Sequence, residues 1–226
     1  MHAAKTRSLV LTFLAVTLIA GAAHAQTKAR VFIPPQALSV TDIPYPNQVN
    51  AAGLVSLEVL LNGHGHITGV AVLRDIPGLT KIAKSVVRKW TFASATLDGK
   101  PVAAAITVEV VFNTGILRTS NLQLAPPALF VPVAGLAYAP PVVQSADFAA
   151  YPVNSVAWGT VVLSASVGAM GQVARAGVLR DVPSLTQPSV SAVKTWTFSP
   201  ATFEDNPIAS DVIVAFCFRA ANSAAP

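Results

Sequence analysis

The amino-acid sequence repeats itself at a fixed interval, and this repeat is the strongest constraint on the fold. Tyr45-Pro46 recurs as Tyr151-Pro152, an offset of 106 residues. At the same offset Val72-Leu73-Arg74-Asp75 recurs at 178–181, and Trp90-Thr91-Phe92 recurs at 196–198. The two stretches align without a gap from residue 45 to residue 112. Self-similarity at one spacing indicates a duplicated structural unit of about 70–80 residues, so the chain is predicted to hold two copies of one small domain.

Local patterns within the first copy predict its secondary structure. Apolar residues alternate with polar ones from Val55 to Leu61, which is typical of a half-buried strand, and residues 62–65 form a glycine-containing hairpin turn. A second strand is predicted over His66–Arg74. Apolar residues from Leu79 to Trp90 then follow helical spacing, and a last strand runs through residues 106–112. We expect an α+β fold of two tandem two-layer domains, each an antiparallel sheet (strand-strand-helix-strand) with one packed helix.

The predicted domain boundaries follow from the repeat and from the proline content. Residues 45–115 and 151–220 are the two domains, and residues 116–150 form a Pro/Ala-rich linker between them. A short lead, residues 26–44, precedes the first domain.

Residues 1–25 are predicted to be a secretory signal peptide. Lys5 and Arg7 precede an apolar stretch from Leu9 to Ala20, and Ala23-His24-Ala25 supplies the small residues that signal peptidase requires. Cleavage near Ala25/Gln26 would release an exported mature protein. The alternative is a membrane anchor retained through residues 8–23.

Composition excludes two classes of protein. With 53% hydrophobic and 11% charged residues, the chain is too apolar and too weakly charged to be intrinsically disordered. The formal net charge of +5 includes Lys5 and Arg7 of the predicted signal peptide. The remaining excess is too small for an electrostatic nucleic-acid footprint, so no nucleic-acid partner is expected.

The residues that could carry chemistry are few. His64 and His66 are spaced to share a metal ion, but no third ligand has a suitable spacing, and an exposed turn explains them better. We expect no metal site, no cofactor and no enzymatic activity; a hydrolase or metal-dependent enzyme using one of these histidines is the remote alternative. Asp75 and Asp181 are predicted to cap helices or to pair with the preceding arginine. Cys217 is predicted to be a buried apolar thiol.

Aromatic residues also recur at the end of each helix. Trp90 and Phe92, with Trp196 and Phe198 106 residues later, could form an aromatic binding surface. Because each pair follows the apolar stripe of a helix, core packing is the preferred interpretation.

The recurring pattern resembles the C-terminal domain of TonB proteins. The resemblance lies in Tyr-Pro, then Gly-x-Val-x-Leu, Val-Leu-Arg-Asp at a strand end, and Trp-x-Phe after the helix. It implies a small domain of the Gram-negative envelope that contacts outer-membrane receptors. In that family a TonB-box segment of the receptor adds to the sheet edge at the last strand. The residues that the resemblance carries over to this edge are Ile106, Val108, Val110, Phe112, Val212, Val214, Phe216 and Phe218.

Two functional hypotheses follow from this resemblance. The first is an exported, non-enzymatic module that binds an envelope protein by strand addition, for example an outer-membrane receptor or its TonB-box-like segment. The alternative is a membrane-anchored TonB-type energy transducer component in transport across the outer membrane. The Leu9–Ala20 stretch contains no histidine, unlike the functional membrane helix of that family. An open sheet edge would also allow dimerisation.

Overall fold

The computed structural model describes residues 30–46, 48–49, 51–113, 122, 124–130, 133 and 135–219. The predicted signal peptide and the alternative membrane anchor lie outside these residues. Among the described residues, no helix is both long and apolar enough to cross a membrane.

The first half of the chain contains eight strands and one helix. These elements are β1 (Phe32–Ile33), β2 (Gln36–Ser39), β3 (Gly53–Leu61), β4 (Ile67–Arg74), α1 (Thr80–Val87), β5 (Thr91–Ala93), β6 (Ala95–Leu97), β7 (Lys100–Val102) and β8 (Ala104–Asn113).

Each of these elements has a counterpart that starts 106 residues later. The second set is β9 (Tyr138–Ala139), β10 (Val142–Ser145), β11 (Gly159–Val167), β12 (Val173–Arg180), α2 (Thr186–Val193), β13 (Thr197–Ser199), β14 (Ala201–Phe203), β15 (Asn206–Ile208) and β16 (Ser210–Phe218). The expected α+β class is confirmed, and the predicted order of two strands, a helix and a last strand occurs in both halves.

The two halves share one sheet instead of forming separate ones. Its six strands run in the order β12-β11-β16-β8-β3-β4, and the last strands of the two halves, β16 and β8, pair in parallel at its centre. All ten residues of β8 are buried. A strand that is buried on both faces suits the interior of a sheet, which explains why the last strands of the halves pair with each other.

The two helices cover opposite faces of this sheet. Alternate residues of β8, such as Val108 and Val110, lie in the core with α1, whereas Val111 lies in the core with α2. Successive side chains of a strand point to opposite faces, so these two cores lie on opposite sides. Each core also contains residues of the other half, including Ile213 in the first and Leu54 in the second.

The predicted lead and linker also contribute strands. In the lead, β1 pairs with β6 and β2 pairs with β5; in the linker, β9 pairs with β14 and β10 pairs with β13. Parts of the lead and of the linker therefore pair with strands of the two halves. The sequence carries the signal for this, because Pro34-Pro35 recurs as Pro140-Pro141 at the same offset of 106.

The local predictions for the turn and the helices have mixed outcomes. Gly65 closes the predicted hairpin turn at a φ of 77°, and a Cβ there would lie 2.2 Å from the carbonyl oxygen of Phe92. Pro188 falls in the first turn of α2, as its missing N–H requires. Asp75 does not cap α1; instead, the Thr80 hydroxyl accepts a hydrogen bond from the Ile76 N–H at 2.8 Å. Thr186 makes the equivalent bond with Val182 at the start of α2.

Candidate functional site

The residues predicted to form the partner-binding edge lie in the centre of the sheet. β8 is placed between β3 and β16, and β16 is placed between β11 and β8. The expectation that the last strands are sheet edges therefore does not hold in this structure. The last strand of each half pairs with the last strand of the other half. Strand addition there would require the β8–β16 pair to separate. All eight side chains are buried: Ile106, Val108, Val110 and Phe112 in the core under α1, and Val212, Val214, Phe216 and Phe218 in the core under α2.

The outer edges of the six-stranded sheet are β4 and β12, and the edge at β4 is covered at its end. Residues 124–130, which we call the connector segment, run beside the end of this strand. The Ala128 N–H donates a hydrogen bond to the Leu73 carbonyl at 2.7 Å, and Arg74 Nε donates to the Ala125 carbonyl at 2.7 Å. Leu73 is only 3% exposed. The chain thus covers the end of one of its two outer edges itself, at Leu73 and Arg74.

The edge at β12 has no such cover among the described residues. Beyond the pairing with β11, the one further backbone pairing here among the described residues is at the start of the strand, where Gln172 forms an isolated bridge with Thr197 of β13. Val178 is 47% exposed and Leu179 is 37% exposed, although Leu179 is the counterpart of the buried Leu73. We call this surface the β12 edge. It presents unpaired backbone groups beside exposed apolar side chains.

An apolar loop, residues 152–158, lies near the end of β12. It carries three exposed large apolar side chains: Val153, Val156 and Trp158, with Trp158 66% exposed. The hydroxyls of Ser155 and Ser184 are hydrogen-bonded at 2.7 Å, which ties this loop to the segment that follows β12. The first half has Asn47, Asn50 and Ala52 at the matching positions, so the apolar character is specific to the second half.

Arg180, at the end of β12, is already bonded within the chain. Its guanidinium donates a hydrogen bond to the Thr160 carbonyl and lies 3.3 Å from the Asp42 carboxylate. The same carboxylate accepts a hydrogen bond from the Thr160 N–H at 2.9 Å. Its counterpart Arg74 instead binds the connector segment. The positive charge at the end of the β12 edge is therefore paired.

A buried polar cluster lies beneath the connector and joins β3, β4 and β8. Ser56 donates a hydrogen bond to Glu109 Oε2, and Arg74 donates to Ser56 Oγ at 3.1 Å and to the Val143 carbonyl at 3.0 Å. Glu109 is fully buried, and its Oε1 has no hydrogen-bond partner in the described structure. Burial raises the pKa of Glu109 to about 7, although Ser56 and Arg74 oppose that shift. This cluster fastens the connector to the sheet; the sequence signal for it is one acidic residue inside an apolar strand.

The other candidate residues do not form a catalytic centre in the described structure. His64 and His66 are exposed, with ring centroids 6.2 Å apart, and no group of three or more His, Cys, Asp or Glu residues in the described ranges could hold a metal ion. Cys217 is buried as predicted, and burial raises the pKa of its thiol, so the thiol stays protonated. Asp75 is exposed, and Arg74 does not pair with it.

The aromatic pairs pack in the two cores, as predicted. Trp90 is 3% exposed and Trp196 is 1% exposed, and the phenylalanine of each pair is buried beside it. They offer no aromatic binding surface.

Comparison with known protein families gives a match to part of the chain. Residues 43–114 match the family model of the Gram-negative bacterial TonB protein C-terminal. The matched range begins at Ile43 and ends one residue beyond β8, so it contains β3 to β8 with α1. No curated protein and no solved structure matches the chain.

Proposed function

Residues 43–114 match the TonB C-terminal family model, and from that premise we propose that the chain is a protein-interaction module of the Gram-negative envelope. We expect it to act in the periplasm after cleavage near Ala25, without catalysing a reaction. Its partner is an envelope protein, for example an outer-membrane receptor.

We place the binding site at the β12 edge, and one observation carries this choice. The two outer edges of the sheet differ: the connector segment is bonded to β4 at Leu73, whereas the counterpart Leu179 is exposed. An edge strand with unpaired N–H and C=O groups is a ready acceptor for another extended chain. A partner segment that adds to β12 gains main-chain hydrogen bonds, and exposed side chains such as Val178 supply apolar contact.

Strand addition at the last strands, the mode implied by the family, would require the halves to separate. β8 and β16 pair from Val108–Ile213 to Asn113–Phe218. Separating them would also open both cores, because each core holds residues of both halves. An edge that is already free avoids this cost, which favours β12.

Site-specific photo-crosslinking in cells tests this proposal. A photoreactive amino acid at Leu179 should form an adduct with an envelope protein. The matched control places it at Lys81, which is exposed on α1, and should give no such adduct. Adducts that are equally strong from both positions, or absent from Leu179, would contradict the proposed site.

The membrane-anchored transducer remains the alternative proposal, and the N-terminal residue of the protein purified from cells distinguishes the two. Gln26 at the N-terminus supports the exported module. Recovery of an intact Met1 chain from the membrane fraction would instead support the anchored transducer.

A further inference from the structure

We propose that the β12 edge and the apolar loop bind an extended, uncharged, proline-containing segment, in the way that the connector segment covers β4. This inference rests on the proposed function, because it names the ligand chemistry of the same edge. It is argued from the correspondence between the two halves of the chain.

The connector segment shows what the edge of this fold accepts. Its sequence, Leu-Ala-Pro-Pro-Ala-Leu-Phe, carries no charge. Two adjacent prolines favour an extended backbone and remove two N–H donors, so few groups of the segment can pair with a strand. The described contacts match this, since Ala128 donates one backbone bond and Ala125 offers its carbonyl to Arg74.

The second half has the same strand without its cover. Leu179 and Arg180 are the counterparts of Leu73 and Arg74. The counterpart of the connector segment is residues 18–24, which fall within the predicted signal peptide. Cleavage near Ala25 would remove these residues and leave the β12 edge available to a segment supplied by another molecule.

The apolar loop gives this edge a contact that β4 lacks. Trp158 takes the position of Ala52 and is 66% exposed. Proline-rich segments dock against exposed aromatic side chains, because the preformed extended backbone loses little entropy and the rings pack on the aromatic face. The charge of Arg180 is paired with Asp42, while Arg175 near the start of β12 is exposed. The uncharged character of the proposed ligand is therefore taken from the connector segment.

Tryptophan fluorescence provides a direct test with a synthetic peptide of the connector sequence, residues 124–130. This peptide contains no tryptophan or tyrosine. Trp90 and Trp196 are buried, so a change on titration reports on Trp158. The chain purified from the periplasm should show a saturable blue shift, and Trp158→Phe should abolish it. A peptide with glycine in place of both prolines should bind at least tenfold more weakly.

Two leucine-to-lysine variants form a matched pair for this titration. Leu179→Lys places a charge on the β12 edge and should weaken peptide binding at least tenfold. Leu38→Lys changes a leucine on β2 that is 68% exposed and should leave binding unchanged. Circular dichroism and urea unfolding of both variants establish that they fold.

Three results would overturn the inference. The first is no blue shift at millimolar peptide, and the second is an undiminished shift in a folded Leu179→Lys variant. The third is a wild-type dimer that Leu179→Lys dissociates, which would make a second copy the occupant. Adducts at Leu179 in cells without peptide binding would reject only this ligand chemistry. The absence of such adducts would reject the proposed site itself.

Discussion

Val108 of β8 lies directly opposite Ile213 of β16 in a parallel pair at the centre of the sheet. This pairing joins the last strands of two similar halves into one structure. It removes the edges that the family resemblance assigns to partner binding and leaves β4 and β12 as the outer strands. The connector segment then covers the end of β4.

The shared sheet predicts one cooperative unfolding transition for both halves. Phe112 of the first half and Phe216 of the second are fully buried. Replacing either with alanine should cost about 3–5 kcal/mol and lower the same urea midpoint. Val153→Ala changes a side chain that is 99% exposed and should change stability by less than about 0.5 kcal/mol. Two separate transitions, one for each half, would contradict the shared core.

The hairpin glycine predicts a steric effect that a matched variant can isolate. Gly65 and Gly99 both have a φ of 77°, but a Cβ at Gly99 meets no atom within 4 Å. Gly99→Ala should therefore cost about 1–2 kcal/mol, from backbone strain alone. Gly65→Ala adds a clash with the Phe92 carbonyl and should cost clearly more in urea unfolding. An equal loss of unfolding free energy in the two variants would show that the backbone at residue 65 shifts enough to relieve the clash.

The buried arginine predicts a large loss of stability on truncation. Arg74 is 6% exposed and bonds both Ser56 and the carbonyls of Ala125 and Val143. Arg74→Met should destabilise the protein by about 3–5 kcal/mol, because it removes these bonds and leaves Glu109 without a nearby cation. At a pH well above 7, where Glu109 carries its charge, adding Glu109→Gln to Arg74→Met should recover part of this loss, since the uncompensated charge is gone. Additive costs in urea unfolding would indicate that the two side chains are independent.

Glu109 also predicts the direction of a pH dependence. Its pKa in the folded chain is about 7, above the ordinary value of 4.5, so the folded state holds the proton more tightly than the unfolded state. The stability from this group is complete below about pH 4.5 and is lost as the pH rises through about 7, at about 1.4 kcal/mol per pKa unit. The measurement is the urea midpoint of wild type and Glu109→Gln at pH 5 and pH 7.5. The wild type should lose more stability than the variant on going to pH 7.5; an equal loss would contradict this assignment.

Short-range patterns of the sequence predict much of the fold. The alternation from Val55 to Leu61 corresponds to β3, and the helical spacing from Leu79 corresponds to α1. The strand is not half-buried as predicted, because Ser56 and Glu58 on its other face are buried too. The burial of Trp90 and Trp196 also follows from their place after each helix. These features depend on residues close in sequence, and the repeat shows the same local pattern in both halves.

The arrangement of the halves could not be predicted in the same way. Strand pairing across the centre depends on which edges meet, and the alternation in β8 and β16 gives no information on their neighbours. Even so, the unbroken apolar run from Ile213 to Phe218 indicates a strand buried on both faces. The β12 edge could not be predicted either. Leu73 and Leu179 are leucines at corresponding positions, and they differ only in whether another segment covers them.

Amide hydrogen exchange with and without the connector-sequence peptide tests the central claim most directly. We predict that the peptide slows exchange in β12, at residues 173–180, while β8 and β16 stay protected in both states. The same protection confined to β12 should follow from adding the partner captured at Leu179. Unchanged exchange in β12, or opening of β8 and β16 on binding, would contradict the account and return the site to the last strands.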